Sequence, residues 1–120
     1  MEYTILIYQD DAEFSARTDP NRKEEFWRGF LAYYEALKEA GIVVGGAGLE
    51  PPQTGNTVRW RDGTTLVQDG PYADTKEQLG GLFIIDVPDL GTALDWAARY
   101  VSAPGRVVEV RPNLSRSHDH

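Results

Sequence analysis

Two short runs in this chain, Ile5-Leu6-Ile7 and Leu82-Phe83-Ile84-Ile85, are apolar at every position. Successive side chains of a strand point to opposite faces, so a strand with one wet face alternates apolar and polar residues. These runs do not alternate. The sheet that contains them must be sheltered on both sides, and the rest of the chain has to be read for what can shelter it.

At 120 residues the chain is expected to be one domain. Residues 3–8 are β-branched and aromatic, which reads as a strand, and Asp10 to Thr18 reads as a loop. Asp19-Pro20 is a helix-start signal. A helical stripe follows at Phe26, Trp27, Phe30, Leu31, Tyr34 and Leu37, with Tyr33 beside it, and stops at Gly41. Residues 42–47 form a short strand. Residues 57–61 alternate Val58 and Trp60 with polar neighbours, a half-buried strand, and Asp62-Gly63 turns it back through residues 65–68. After the apolar strand, Asp89 caps a second helix striped by Leu90, Ala93, Leu94, Ala97 and Val101. Ala103-Pro104-Gly105 breaks that helix, residues 106–111 form the last strand, and residues 113–120 have no periodicity and are expected to be a disordered tail.

The order strand, helix, strand, hairpin, strand, helix, strand predicts an α+β fold, a ferredoxin-like split β-α-β with an added β-hairpin. Both helices then lie on one face of an antiparallel sheet, and no element is left for the other. A second copy of the sheet is the natural cover, which predicts a symmetric homodimer.

Composition narrows the function classes. The net charge of −7, with no basic block, argues against nucleic acid, whose phosphates are met by Lys and Arg. No run approaches the ~18 apolar residues of a membrane-spanning helix, and the N-terminus does not read as a signal peptide, so a cytoplasmic protein is expected. There is no cysteine, and both histidines, His118 and His120, lie in the tail. Thiolate chemistry and a Ser-His-Asp triad are thereby excluded from the fold. Carboxylates alone favour hard cations, but Asp10-Asp11 and Asp69…Asp74 lack a recognised ligand spacing. Neither metal nor cofactor is expected.

The candidate site is the stretch from Asp69 to Val87, where a turn and a charged segment run into a Gly-Gly pair and the apolar strand. Its core, Asp69-Gly70-Pro71-Tyr72-Ala73-Asp74-Thr75-Lys76-Glu77-Gln78-Leu79-Gly80-Gly81, resembles the YCII-related (DGPF-domain) family. The Asp-Gly-Pro-Phe of the family's name appears as Asp69-Gly70-Pro71-Tyr72, and its Ala-Glu-Thr-Lys-Glu as residues 73–77 with Asp74 in place of Glu. The likeness covers residues 1–112, including the closing Val-Glu-Val-Arg-Pro at residues 108–112. It implies a dimeric α+β barrel and, for most members, no assigned activity. The YciI-type branch is thought to use a His-Asp pair; with no histidine in the fold, that dyad does not carry over.

The remaining chemistry is carboxylate or lysine acid/base work. Lys76 and Glu77 are the candidate catalytic pair, read equally as a ligand site or as a structural ion pair. Gly80 and Gly81 allow a ligand or another backbone to come close. Tyr8, Asp69 and Tyr72 are candidate lining residues, although Asp69-Gly70-Pro71 is also a rigid turn and the tyrosines also read as packing. The expected function is a homodimeric small-molecule-binding protein or enzyme, its pocket between residues 69–81 and the sheet, with a small anionic or polar ligand. A non-catalytic interaction or regulatory module is the alternative.

Overall fold

The structure, a computed structural model, describes residues 1–101 and 105–115. Strand β1 (Glu2–Gln9) leads through a short helix α1 (Asp11–Ala16) to the long helix α2 (Lys23–Glu39) and strand β2 (Val43–Gly48). A 3₁₀ turn (Pro52–Thr54) precedes the hairpin β3 (Asn56–Arg61) and β4 (Thr64–Asp69). Strand β5 (Gln78–Asp86), helix α3 (Leu90–Tyr100) and strand β6 (Arg106–Pro112) complete the chain. The main sheet has the order β2-β5-β1-β6 and is antiparallel throughout, with the hairpin as a separate two-stranded sheet. This is the ferredoxin-like α+β arrangement, with the two apolar runs on adjacent central strands. One chain makes an open sheet, not a closed barrel.

Period two decides what lies under the helices. In β1 the odd residues Tyr3, Ile5, Ile7 and Gln9 are buried while Thr4, Leu6 and Tyr8 are half-exposed. Phe83 and Ile85 continue the buried row in β5, meeting Tyr33 and Leu37 of α2 and Ala93 and Tyr100 of α3. The Phe83 ring stacks on Phe30 (5.7 Å) and Tyr34 (6.0 Å). Ile5, Ile7, Leu37 and Ile85 are fully buried, each contributing about 1.5–3 kcal/mol of hydrophobic stabilisation. The opposite face, with the half-exposed Leu6, Leu82 and Ile84 flanked by the exposed Val44 and Val107, has no cover among the described residues. The molecule is accordingly a slab of 50 × 48 × 18 Å, one helical layer on one sheet.

Local chemistry explains where the structure departs from the sequence reading. The expected loop after β1 holds α1, because Asp10 caps it: its Oδ1 accepts the Glu13 N–H at 2.9 Å. Asp19-Pro20 does not begin α2. Asp19 instead closes a turn, its carbonyl accepting from Arg22 and Lys23 and its carboxylate from Asn21, and α2 starts at Lys23. The buried edge of α2 runs Phe26, Tyr33, Leu37, leaving Trp27 and Leu31 exposed, because the Tyr33 hydroxyl reaches the Trp96 carbonyl (2.8 Å) under α3. The Asp62-Gly63 turn takes the positive φ values its sequence demands, 52° and 81°. Its hairpin is not half-buried, however. Val58 (63 % exposed), Trp60 (71 %) and Val67 (66 %) share an exposed face, and the partly covered residues of β3 are instead Thr57 and Arg59. Asp89 caps α3 as expected, accepting from the Thr92 N–H and hydroxyl, both at 2.8 Å. Residues 103 and 104 of the expected helix break lie outside the described residues. Asn113, read as part of the tail, is tied to β1 through the Glu2 carbonyl (2.9 Å) and the Thr4 hydroxyl (2.5 Å). Residues 116–120, with both histidines, lie outside the described residues.

Candidate functional site

The residues expected to form a site fall in three places. Lys76 and Glu77 lie on the exposed loop before β5, and neither makes an ion pair or a side-chain hydrogen bond among the described residues. Asp69 and Tyr72 belong to the hairpin base. Asp69 accepts from the Asn56 amide (3.1 Å), Gly70 closes against Gly55 (N–H to carbonyl, 2.7 Å), and the exposed Tyr72 ring meets the Arg59 guanidinium at 5.5 Å. Gln78 holds this loop by donating to the carbonyls of Ala73 and Thr75. Tyr8 is on the uncovered face of the sheet, its hydroxyl 3.5 Å from Glu109 Oε1. Gly80 and Gly81 are buried and sit under the helices, away from the rest.

What surrounds the two glycines is a polar cluster. In the β1–β5 ladder Ile7 pairs with Gly81 but Tyr8 with Leu79, so Gly80 is the extra residue of a β-bulge. Bulges bend a strand and re-aim its neighbours. Here the bulge admits Gln9, the polar end of the buried row of β1, only 2 % exposed. Arg17, just beyond α1, reaches across to it: Nη2 donates to Gln9 Oε1 (2.6 Å) and to the Gly80 carbonyl (3.0 Å), and Nη1 donates to the Leu49 carbonyl. One guanidinium thus joins β1, β5 and the segment after β2. Trp27 returns the contact, donating to the Arg17 carbonyl at 3.0 Å. The space that a side chain at position 80 would need is already filled, since a Cβ there would fall 2.3 Å from Gln9 Oε1.

Electrostatics single out Arg17. Its direct acceptors are two carbonyls and an amide oxygen, all neutral, and it has no ion pair among the described residues. Burial lowers its pKa, only partly opposed by Tyr100, Glu50 and Glu13. Glu13 is itself held by Arg106 at 2.8 Å, with both side chains largely buried. Tyr100 has its pKa raised by burial, opposed by Arg106 and Gln9. Its hydroxyl is therefore kept protonated and able to donate.

This cluster opens into a recess of ≈ 170 Å³, with Ile7, Phe26, Trp27 and Phe30 as apolar walls and Gln9, Arg17, Glu50 and Tyr100 as polar ones. Trp27 stands edge-on to Phe26 (5.0 Å) and Phe30 (5.8 Å). A larger groove of ≈ 390 Å³ runs along the free edge of β2 beside Tyr34 and Phe83, but it is more open and carries no carboxylate, amine or guanidinium. Chemistry favours the smaller recess. It can hold a small molecule against aromatic rings and offer it a cation, an amide and a protonated phenol. Among the described residues no group of His, Asp and Glu could hold a metal ion, and no helix is long and apolar enough to cross a membrane.

The sequence reading missed Gln9, Arg17 and Tyr100. Gln9 left a trace, because the inward row Tyr3, Ile5, Ile7 reaches it two residues on, and a glutamine in a core row needs a partner. Arg17 left none; its acceptors are 8, 32 and 63 residues away.

Comparison with known proteins agrees with this architecture. A family model, the YCII-related domain, matches residues 1–112. An uncharacterized protein of Rhizobium meliloti (strain 1021) is 38 % identical over 114 residues, covering 93 % of this chain and 91 % of the relative. The fold is similar to that of 5-chloro-2-hydroxyhydroquinone dehydrochlorinase from Burkholderia phenoliruptrix, solved in complex with 2,5-dihydroxybenzoquinone. That match has a TM-score of 0.55 at 17 % identity and covers 98 % of each chain. With its family model spanning the whole sheet and both long helices, this chain belongs to the YCII-related domain family.

Proposed function

We propose that the protein is a homodimeric small-molecule-binding protein or enzyme whose ligand sits in the recess beside Gly80 and Gly81. One observation carries the reading: a buried, hydrogen-bonded polar cluster opens into an aromatic-walled cavity at a glycine bulge. That combination, an apolar hollow with a few convergent polar groups, is what ligand sites are built from. Arg17, Gln9 and Tyr100 take the working roles. Lys76 and Glu77 stand outside this recess in the single chain. The fold neighbour, a dehydrochlorinase solved with a ring compound bound, is compatible with the reading.

The dimer rests on the uncovered face of the sheet. Leu6, Leu82 and Ile84 are too apolar to be left to water in a strand whose other side is already core. Sedimentation of the native chain at micromolar concentration is expected to give a dimer and Ile84→Lys a folded monomer; a native monomer would end this part of the proposal.

The site is tested by thermal-shift screening of a small-molecule library against the native chain and Leu49→Trp. The larger side chain narrows the rim of the recess while the Leu49 carbonyl still accepts from Arg17. Stabilising compounds are expected for the native chain and should lose their effect in the variant. Stabilisation surviving unchanged in the variant would place binding elsewhere.

The second reading, a non-catalytic interaction module, draws support from the hairpin face of Val58, Trp60 and Val67. It predicts that Trp60→Ser and Val67→Ser abolish complex formation in the source cell while Leu49→Trp leaves it intact.

A further inference from the structure

We infer that the recess takes a planar anion of about one six-membered ring, its negative group directed at Arg17. The inference rests on the site proposed above and goes on to name the class of ligand.

Size comes from the cavity. An apolar cavity of about 150 Å³ accommodates one benzene ring, and the recess measures ≈ 170 Å³. Shape comes from the walls. Phe26, Trp27 and Phe30 supply ring surfaces that favour a flat apolar body over a branched one.

Charge comes from Arg17. A guanidinium forced into a partly apolar site is costly unless a negative group accompanies it. Arg17 has three neutral acceptors and no carboxylate within ion-pair distance among the described residues. Two acids face it. Glu13 is engaged by Arg106 at 2.8 Å. Glu50 lies at the recess wall, exposed and without an ion pair among the described residues. Among the described residues the positive charge is therefore opposed by one carboxylate already engaged and one that is solvated, and an anion in the recess, which Arg17 lines, would lie beside it. Tyr100 and Gln9 add neutral polar contacts on the same side. The overall charge of −7 does not attract anions, so selection has to be local.

Charge is isolated by comparing benzoate with its neutral isostere benzamide and with benzylammonium, titrated into the full native chain. Amide NMR shifts of Leu49, Gly80 and Gly81 report on the recess. Benzoate is expected to move these resonances and to bind at least tenfold more tightly than benzamide, with benzylammonium weaker still. Glu50→Gln removes the competing carboxylate of the recess wall and should tighten benzoate severalfold relative to benzamide. This variant leaves the Arg17 cluster intact, so folding is not at stake. Equal binding of benzoate and benzamide at Gly80 and Gly81 would overturn the anion inference and leave the site standing. If none of the three probes shifts those resonances, the inference and the proposed site fall together.

Discussion

Replacing Gly80 by alanine would place a methyl carbon 2.3 Å from Gln9 Oε1, 2.8 Å from its Cδ and 3.1 Å from Arg17 Nη2. Gly80 is not among the positive-φ glycines, so alanine adopts its backbone without strain and the effect is purely one of space. Ordinary contacts with carbon lie at about 3.5–4.0 Å, so Gln9 must retreat by roughly 1 Å or more. It has little room, being almost wholly buried, and any retreat stretches the 2.6 Å bond from Arg17. A hydrogen bond to a charged group contributes about 1.5–3 kcal/mol, and overpacking adds about 1–3 kcal/mol. Alanine recovers up to about 1 kcal/mol through the unfolded chain. The net expectation is a loss of about 2–4 kcal/mol, a fall in Tm on the order of 10 °C for a chain of this length. Denaturant unfolding measures it directly. The double variant Gly80→Ala with Gln9→Ala removes the obstructing atoms, and should be more stable than the sum of the single changes by about 1 kcal/mol or more. A Gly80→Ala protein within ~0.5 kcal/mol of the native chain, or strictly additive single changes, would refute the account of the cluster.

Three further outcomes follow from the same geometry. Glu13→Ala leaves Arg106 largely buried without its carboxylate, and equilibrium unfolding should show a loss of about 2–4 kcal/mol, with strong non-additivity against Arg106→Met. Burial pushes the Tyr33 pKa up to about 12. Its raised value means that stability is complete below the unfolded tyrosine pKa near 10 and is lost as pH rises from there toward 12; a Tyr33→Phe protein should show a shallower decline of Tm across that window, and an unchanged slope would exclude Tyr33 as a contributor. Asp89 is held below the ordinary carboxylate range by hydrogen bonds from the Thr92 N–H and hydroxyl. Its contribution is present above pH ~4 and fades as pH falls through the depressed pKa, so the Tm difference between native and Asp89→Ala proteins should shrink on acidification.

Much of the architecture was open to inspection in the chain alone. Side-chain alternation in β1, the aromatic spacing of α2, the Asp89 cap and the Asp62-Gly63 turn are local rules, each set by residues within a few positions of one another. They fix the type of most elements, and the expectation that Leu6, Leu82 and Ile84 lack a second cover follows from counting those elements. Local rules also misled where two of them competed. Asp19-Pro20 satisfies a helix start and a turn equally, and the turn formed. The alternation of Val58 and Trp60 identifies a strand but not which side of it meets anything.

The candidate site was legible only through its glycines. Gly80 and Gly81 stood out because two adjacent residues without side chains in an apolar strand require a close neighbour, yet their identity does not say which neighbour. That Gln9 and Arg17 fill the space was settled by the bulge between β1 and β5 and by a side chain reaching acceptors as far as 63 residues away. Lys76 and Glu77, conspicuous in sequence beside the glycines, are carried onto an exposed loop because Gln78 pins the chain just before the strand begins. What this sequence determined unaided was the strands and the two long helices, though not the short α1, and that the expected elements leave one side of the sheet without a cover, since those depend on short-range stereochemistry and periodic hydrophobicity. Which polar groups meet at the recess was decided by strand register and chain crossing, because a charge is placed by what lies across from it in space, not by what precedes it in the chain.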